Sequence, residues 1–189
     1  LSLHDALPIL PASVISGLSD GTVTVTASVT DAAGNTGTGS HDVTVDTGLP
    51  SVAFNAISGD NILNAVEKGQ DLSVSGTSAN LAEGTVVTVT LNGKNYTATT
   101  AADGTWSLTV SAADLAGLGQ ANYTLNATAT NGVGNSVSNT ATLLVDTALP
   151  TVTINTVAGD NVINAAEVAA GQTISGKVAN AEAGNTVTV

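Results

Sequence analysis

The side chains able to do chemistry in this sequence are almost all carboxylates. Fifteen Asp and Glu stand against three Lys and no Arg, Cys is absent, and His4 and His41 are the two histidines. Thiolate nucleophiles, disulfides and Cys-ligated zinc are therefore excluded, and two histidines leave almost nothing for acid–base work near neutral pH. An enzyme here would have to run on carboxylates alone. A net charge of −12 repels phosphate backbones and anionic membrane surfaces, which removes nucleic acid as a partner. No apolar run is long enough to insert in a membrane, and no basic-then-apolar leader opens the chain. The absence of an initiating Met reads as a fragment of a longer protein.

The acidic residues recur at a fixed interval. Val45-Asp46-Thr47-Gly48-Leu49-Pro50 returns as Val145-Asp146-Thr147-Ala148-Leu149-Pro150, displaced by 100 positions. Gly59-Asp60-Asn61, followed by Asn64-Ala65 and Glu67, returns at the same offset as Gly159-Asp160-Asn161, Asn164-Ala165 and Glu167. Without gaps, residues 46–89 and 146–189 are identical at 20 of 44 positions, so the segments are copies of one unit. A unit of about 100 residues reads as an array. Cutting at the Asp-Thr-x-Leu-Pro joints gives the C-terminal part of one unit (11–46), a complete unit (47–146) and the N-terminal part of a third (147–189). Residues 1–10 bear no likeness to 101–110. They read as translated adapter, extraneous to the fold.

These residues must be positioned by strands. Within 47–146 the hydrophobic period is two, the pattern of strands with one buried face. Val52, Phe54 and Ala56 point inward on a first strand, Leu72 and Val74 on a second, and Val87, Val89 and Leu91 on a third. Asn92-Gly93 closes a hairpin to Asn95–Thr100. Ala102-Asp103-Gly104 is another turn, and Trp106, Leu108 and Val110 alternate with Ser107 and Thr109. Ser111–Leu118 reads as a short helical turn. Tyr123, Leu125, Ala127 and Ala129 supply a sixth strand, and Leu143 and Val145 a seventh. Seven strands in about 100 residues predict an all-β, immunoglobulin-like sandwich without a disulfide.

The ordered set Asp-Thr-x-x-Pro, Gly-Asp-Asn-x-x-Asn-Ala-x-Glu, Asp103-Gly104-Thr105-Trp106 and Asp31-Ala32-Ala33-Gly34-Asn35 resembles the Ig-like repeats of giant bacterial surface adhesins. These are the biofilm-associated and RTX-type proteins exported by type I secretion, and the likeness covers about 11–189. The resemblance implies a stalk of tandem sandwiches at the extracellular bacterial surface, with neighbouring repeats as partners and Ca2+ at the joints. One turn departs from the pattern, because Asp31-Ala32-Ala33-Gly34-Asn35 becomes Asn131-Gly132-Val133-Gly134-Asn135 in the second copy.

The metal ligands that this implies follow from topology. A first strand running away from the incoming joint places the Gly59–Glu67 loop at the outgoing joint, beside Asp146. Calcium takes about six to eight hard oxygens. Asp60, Asp146, backbone carbonyls and Asn64 or Glu67 form a partial shell, which Glu182 of the next unit would complete. Asp46 and Glu83 belong to the upstream joint, and Asp160 and Glu167 to a further one. Other readings stand beside these. Asp46 and Asp146 can simply cap turns before the prolines. Ser58–Glu67 has part of the EF-hand spacing, but earlier ligand positions fall on Ala56 and Ser58, and no helices are expected to flank it. Asp114 reads as part of a helical turn rather than a ligand. Trp106 is either a core plug or a sugar platform. The function expected is a structural, non-enzymatic stalk, and the alternative is a carbohydrate- or receptor-binding module, accessory to a surface enzyme.

Overall fold

The structure, a computed structural model, describes residues 10–181 and 183–189. Of the reading of residues 1–10 as extraneous, residues 1–9 lie outside the described residues, as does the placement of Glu182 at a joint. Thr and Val crowd a helical turn but pack well on a pleated sheet, so strands dominate. In chain order the elements are α1 (Ala12–Ile15), β1 (Gly21–Thr30), β2 (Thr36–Val45), β3 (Ser51–Phe54), β4 (Ile62–Leu63), β5 (Leu72–Ala79), β6 (Val86–Leu91), β7 (Lys94–Thr99), β8 (Thr105–Val110), α2 (Ala112–Ala116), β9 (Ala121–Thr130), β10 (Ser136–Val145), β11 (Thr151–Ile154), α3 (Ala165–Ala170) and β12 (Gly176–Ala179).

A three-stranded sheet, β3-β5-β8, faces a five-stranded one, β4-β10-β9-β6-β7, and one apolar cluster joins the two. All pairs are antiparallel except β4 with β10. The predicted alternation is observed from the second strand onward, with Tyr123 half-buried. Leu72, Val74, Val87, Val89, Leu91, Leu108, Val110, Leu125, Leu143 and Val145 are buried, and Trp106 is only 2% exposed. Trp106 therefore fills the core and offers no platform to a sugar. Asn92 and Gly93 both have positive φ, +48° and +78°, the geometry of a two-residue hairpin loop whose twist matches its strands. Every buried residue of the described chain lies between Pro50 and Val145. Residues 21–45 form the β1–β2 hairpin and residues 151–179 carry the β11–β12 pair.

Three details differ from the sequence reading. Residues 47–146 contain eight strands rather than seven, because Ile62-Leu63 pairs with the end of β10. Two residues are too few to show an alternating pattern. The first strand stops at Phe54, which is half-buried, and Ala56 is exposed. After the acidic loop of the second copy, Ala165–Ala170 forms a helix, whereas Glu67–Gly69 makes a single 3-10 turn. The run Ala-Ala-Glu-Val-Ala-Ala favours the helix, and Gly69 in the first copy does not.

Candidate functional site

The Gly59–Glu67 loop owes its shape to local chemistry. Ser58, Gly59 and Asn61 sit at positive φ, and the Ile57 amide donates to Asn61 Oδ1 at 2.9 Å. Ala158, Gly159 and Asn161 repeat that geometry, with the Val157 amide bonded to Asn161 Oδ1 at 3.0 Å. Ile57 and Leu63, 1% and 0% exposed, pin the first loop to the core. Its far side is held by β10. The Leu144 amide donates to the Asn61 carbonyl at 2.9 Å and the Asp146 amide to the Leu63 carbonyl at 3.1 Å. The acidic loop and the strand end carrying Asp146 thus lie side by side, joined through the backbone.

Asp46, Asp60, Glu67, Asp146, Asp160 and Glu167 each close a local turn or cap. Oδ1 of Asp46 accepts from the Gly48 amide at 2.9 Å, and Oδ1 of Asp146 from Ala148 at 3.0 Å. Asp60 and Asp160 accept from Ile62 and Val162, both at 2.9 Å. Glu67 Oε2 accepts from the Asn64 amide at 3.0 Å while Asn64 Oδ1 accepts from Val66 and Glu67, a reciprocal cap. Asn164 and Glu167 make the same cap. Glu83 is exposed on the loop after β5. Among the described residues, no three His, Asp or Glu side chains gather around a common point. The fit to calcium is thus partial: hard oxygens only, with Oδ2 of Asp60 and of Asp146 unbonded among the described residues, but without a closed shell. Asp114 makes an ion pair with Lys94, and that lysine holds its carboxyl below the usual range.

Sequence reasoning missed the uncharged grip on the linker. Asn135 Nδ2 donates to the Asp46 and Gly48 carbonyls at 3.2 and 3.3 Å, and Asn80 Nδ2 to the Leu49 carbonyl at 2.9 Å. Pro50 is buried next to them. From the other side, Asp20 Oδ1 accepts both the amide and the hydroxyl of Thr47 at 2.8 Å, and these bonds, the amide first, lower its pKa. Position 120 is Gln, so Asp20 carries no repeat signal. The asparagines do have one: Asn180 Nδ2 reaches the Leu149 carbonyl at 3.2 Å, as Asn80 reaches Leu49.

Several known proteins are similar to this chain. A 1.5-MDa bacterial ice-binding adhesin, studied for its retention at the host cell surface, is 33% identical, with 89% of this chain and 55% of that one covered at a TM-score of 0.49. A Ca2+-stabilized adhesin that helps an Antarctic bacterium reach out and bind ice is 37% identical, covering 84% and 40% at a TM-score of 0.44. A tetra-tandem repeat in the extending region of a large adhesion protein is 31% identical, covering 87% and 40% at 0.45. The chain thus spans about half or less of the length of each. No curated protein sequence matches it. With a two-sheet sandwich that has its core between Pro50 and Val145, and a family model for the bacterial Ig-like domain matching residues 52–147, the chain belongs to the bacterial Ig-like domain family.

Proposed function

We propose that the chain is a structural stalk segment of a large, secreted bacterial cell-surface adhesin of the biofilm-associated kind. It holds a distal binding region away from the cell, has neighbouring Ig-like repeats as its partners, and performs no catalysis. The division into 11–46, 47–146 and 147–189 is part of this proposal. One observation carries it. The chain enters the sandwich at Pro50, β3 leads away from that end, and β10 leaves at Val145 beside β4. Units entered at one end and left at the other add length with each copy. The Asn80, Asn135 and Asp20 bonds to the 46–49 linker support a joint that resists bending.

Calcium at the joints belongs to the same proposal. Asp60 and Asp146 would hold it at the outgoing joint together with Glu67 or a carbonyl, Asp46 with Glu83 at the incoming one, and Asp160 with Glu167 at the next. Carboxylates that recur at the joints of a chain of charge −12 repel one another until a cation neutralises them. Small-angle scattering on a tandem array of residues 47–146 is expected to show a longer, less variable particle in millimolar calcium than in chelator. Identical curves in the two buffers would remove calcium from the proposal and leave the hydrogen-bonded joint.

The ligand assignment has its own test. Asp60→Asn and Asp146→Asn each remove a charged oxygen without changing side-chain size, and the Oδ1 that caps the local amide survives in both. Each variant is expected to weaken calcium binding in titration calorimetry while keeping the wild-type unfolding transition. Wild-type affinity in both would exclude the pairing of the Gly59–Glu67 loop with Asp146 as a metal site.

A further inference from the structure

The turn between β9 and β10 is built differently from its copy between β1 and β2, although the backbone bonds match. In both, the first residue donates its amide to the carbonyl four positions on, at 2.9 Å. In the first copy Asp31 Oδ1 accepts from the Ala33 and Asn35 amides at 2.9 and 2.8 Å, and Asp31 Oδ2 accepts from Asn35 Nδ2 at 2.9 Å. In the second, Asn131 Oδ1 accepts from the Val133 and Asn135 amides at 3.2 and 2.8 Å. An asparagine has an NH2 where aspartate has its second oxygen, and two donors cannot pair. Asn135 Nδ2 instead reaches the linker carbonyls of Asp46 and Gly48.

Asn131 is followed by Gly132, and three features of this turn favour one reaction. Gly132 is exposed, has no side chain to shield its nitrogen, and makes no hydrogen bond through its amide among the described residues. Attack of that nitrogen on Asn131 Cγ would place negative charge on Oδ1. Oδ1 already lies against two backbone N–H groups, the arrangement that stabilises an oxyanion. The leaving nitrogen, Nδ2, is unbonded among the described residues. We propose that Asn131 is a site of spontaneous deamidation, and that its conversion releases Asn135 from the linker; this inference does not depend on the stalk reading.

The step balances with water alone. Hydroxide takes the Gly132 amide proton, the nitrogen bonds to Cγ, and the Cγ–Nδ2 bond breaks. Nδ2 leaves as ammonia after taking a proton from water, and a succinimide remains. Water then opens the ring at one of its two carbonyl carbons and gives aspartate or isoaspartate at position 131. The aspartate product is the residue that the first copy already carries. Its new oxygen can accept from Asn135 Nδ2 as Asp31 accepts from Asn35, and the linker carbonyls lose their partner.

Asn92-Gly93 is the internal comparison. It has the same dipeptide, but Asn92 sits at φ +48° in a tight hairpin, with Leu91 and Lys94 paired on either side, and no amide donates to its side chain among the described residues. The full chain, aged in mildly alkaline buffer and read by peptide-mapping mass spectrometry, should convert Asn131 several-fold faster than Asn92. Gly132→Ala should suppress the conversion without unfolding the chain, since Ala32 occupies that position in the first copy. In NMR spectra, Asn131→Asp should shift the Asn135 side-chain amide, and the aspartate fraction of the aged chain should share that shift. Conversion at Asn131 no faster than at Asn92, or a Gly132→Ala chain ageing at the wild-type rate, would overturn the site. An Asn135 amide unmoved by Asn131→Asp would overturn the release of the linker.

Discussion

Trp106→Ala is expected to cost about 3–5 kcal/mol of unfolding free energy, a large part of the roughly 5–15 kcal/mol available to a small domain. The indole is 2% exposed, meets the Phe54 ring edge-on at 5.4 Å between centroids, and donates from Nε1 to the Thr77 carbonyl at 3.1 Å. Truncation leaves a cavity between the two sheets and removes the indole bond to that carbonyl. Denaturant unfolding followed by circular dichroism measures the loss. Unchanged stability, accompanied by loss of binding on a glycan array, would instead restore the sugar-platform reading.

The second large effect comes from adding a single methyl. Gly76 faces Trp106 across β5–β8 and Phe54 across β3–β5. A Cβ there would lie 1.9 Å from the Ala53 carbonyl oxygen and 2.3 Å from Trp106 Cζ2. Neither neighbour can move alone, because one belongs to a paired strand and the other is the core plug. Gly76→Ala is therefore expected to destabilise by about 3 kcal/mol or more, the upper range of overpacking. Gly69→Ala is the control, with nothing within 4 Å of its added carbon and an expected change within about 0.5 kcal/mol. Equal unfolding midpoints for the two variants would show that the sheet yields at Gly76.

Gly76 also shows what the sequence does and does not reveal. Position 176 is glycine too, and a Cβ there would meet the Thr153 carbonyl oxygen at 2.1 Å. The repeat marks both positions, but only the packing explains why. Strand alternation was legible throughout the complete unit because one face of each strand is buried, which turns burial into a period of two. Ile57 and Leu63 were not legible as core, since they lie in a loop whose turns break any period. The carboxylates were legible as a recurring set, yet their hydrogen bonds go to amides two or three residues away, which a spacing argument cannot separate from metal ligation. Asn80 was passed over and Asn135 was read only as the end of a turn, because nothing local tells that their amides reach the linker carbonyls. Asp20 reaches Thr47 across 27 positions, a distance no local pattern covers.

The parallel pairing of β4 with β10 has a mechanical consequence. A pull on Pro50 and Asp146 draws the early strands toward one end of the sandwich and β10 toward the other. Two parallel strands drawn in opposite directions slide along their common axis. The bonds from the Leu144 and Asp146 amides to the Asn61 and Leu63 carbonyls stand across that axis and are strained together, whereas a hairpin opened from its free end gives way one rung at a time. Under such a pull, the short strand that the hydrophobic pattern left unmarked is loaded in shear where Ile62-Leu63 pairs with the end of β10 before the linker.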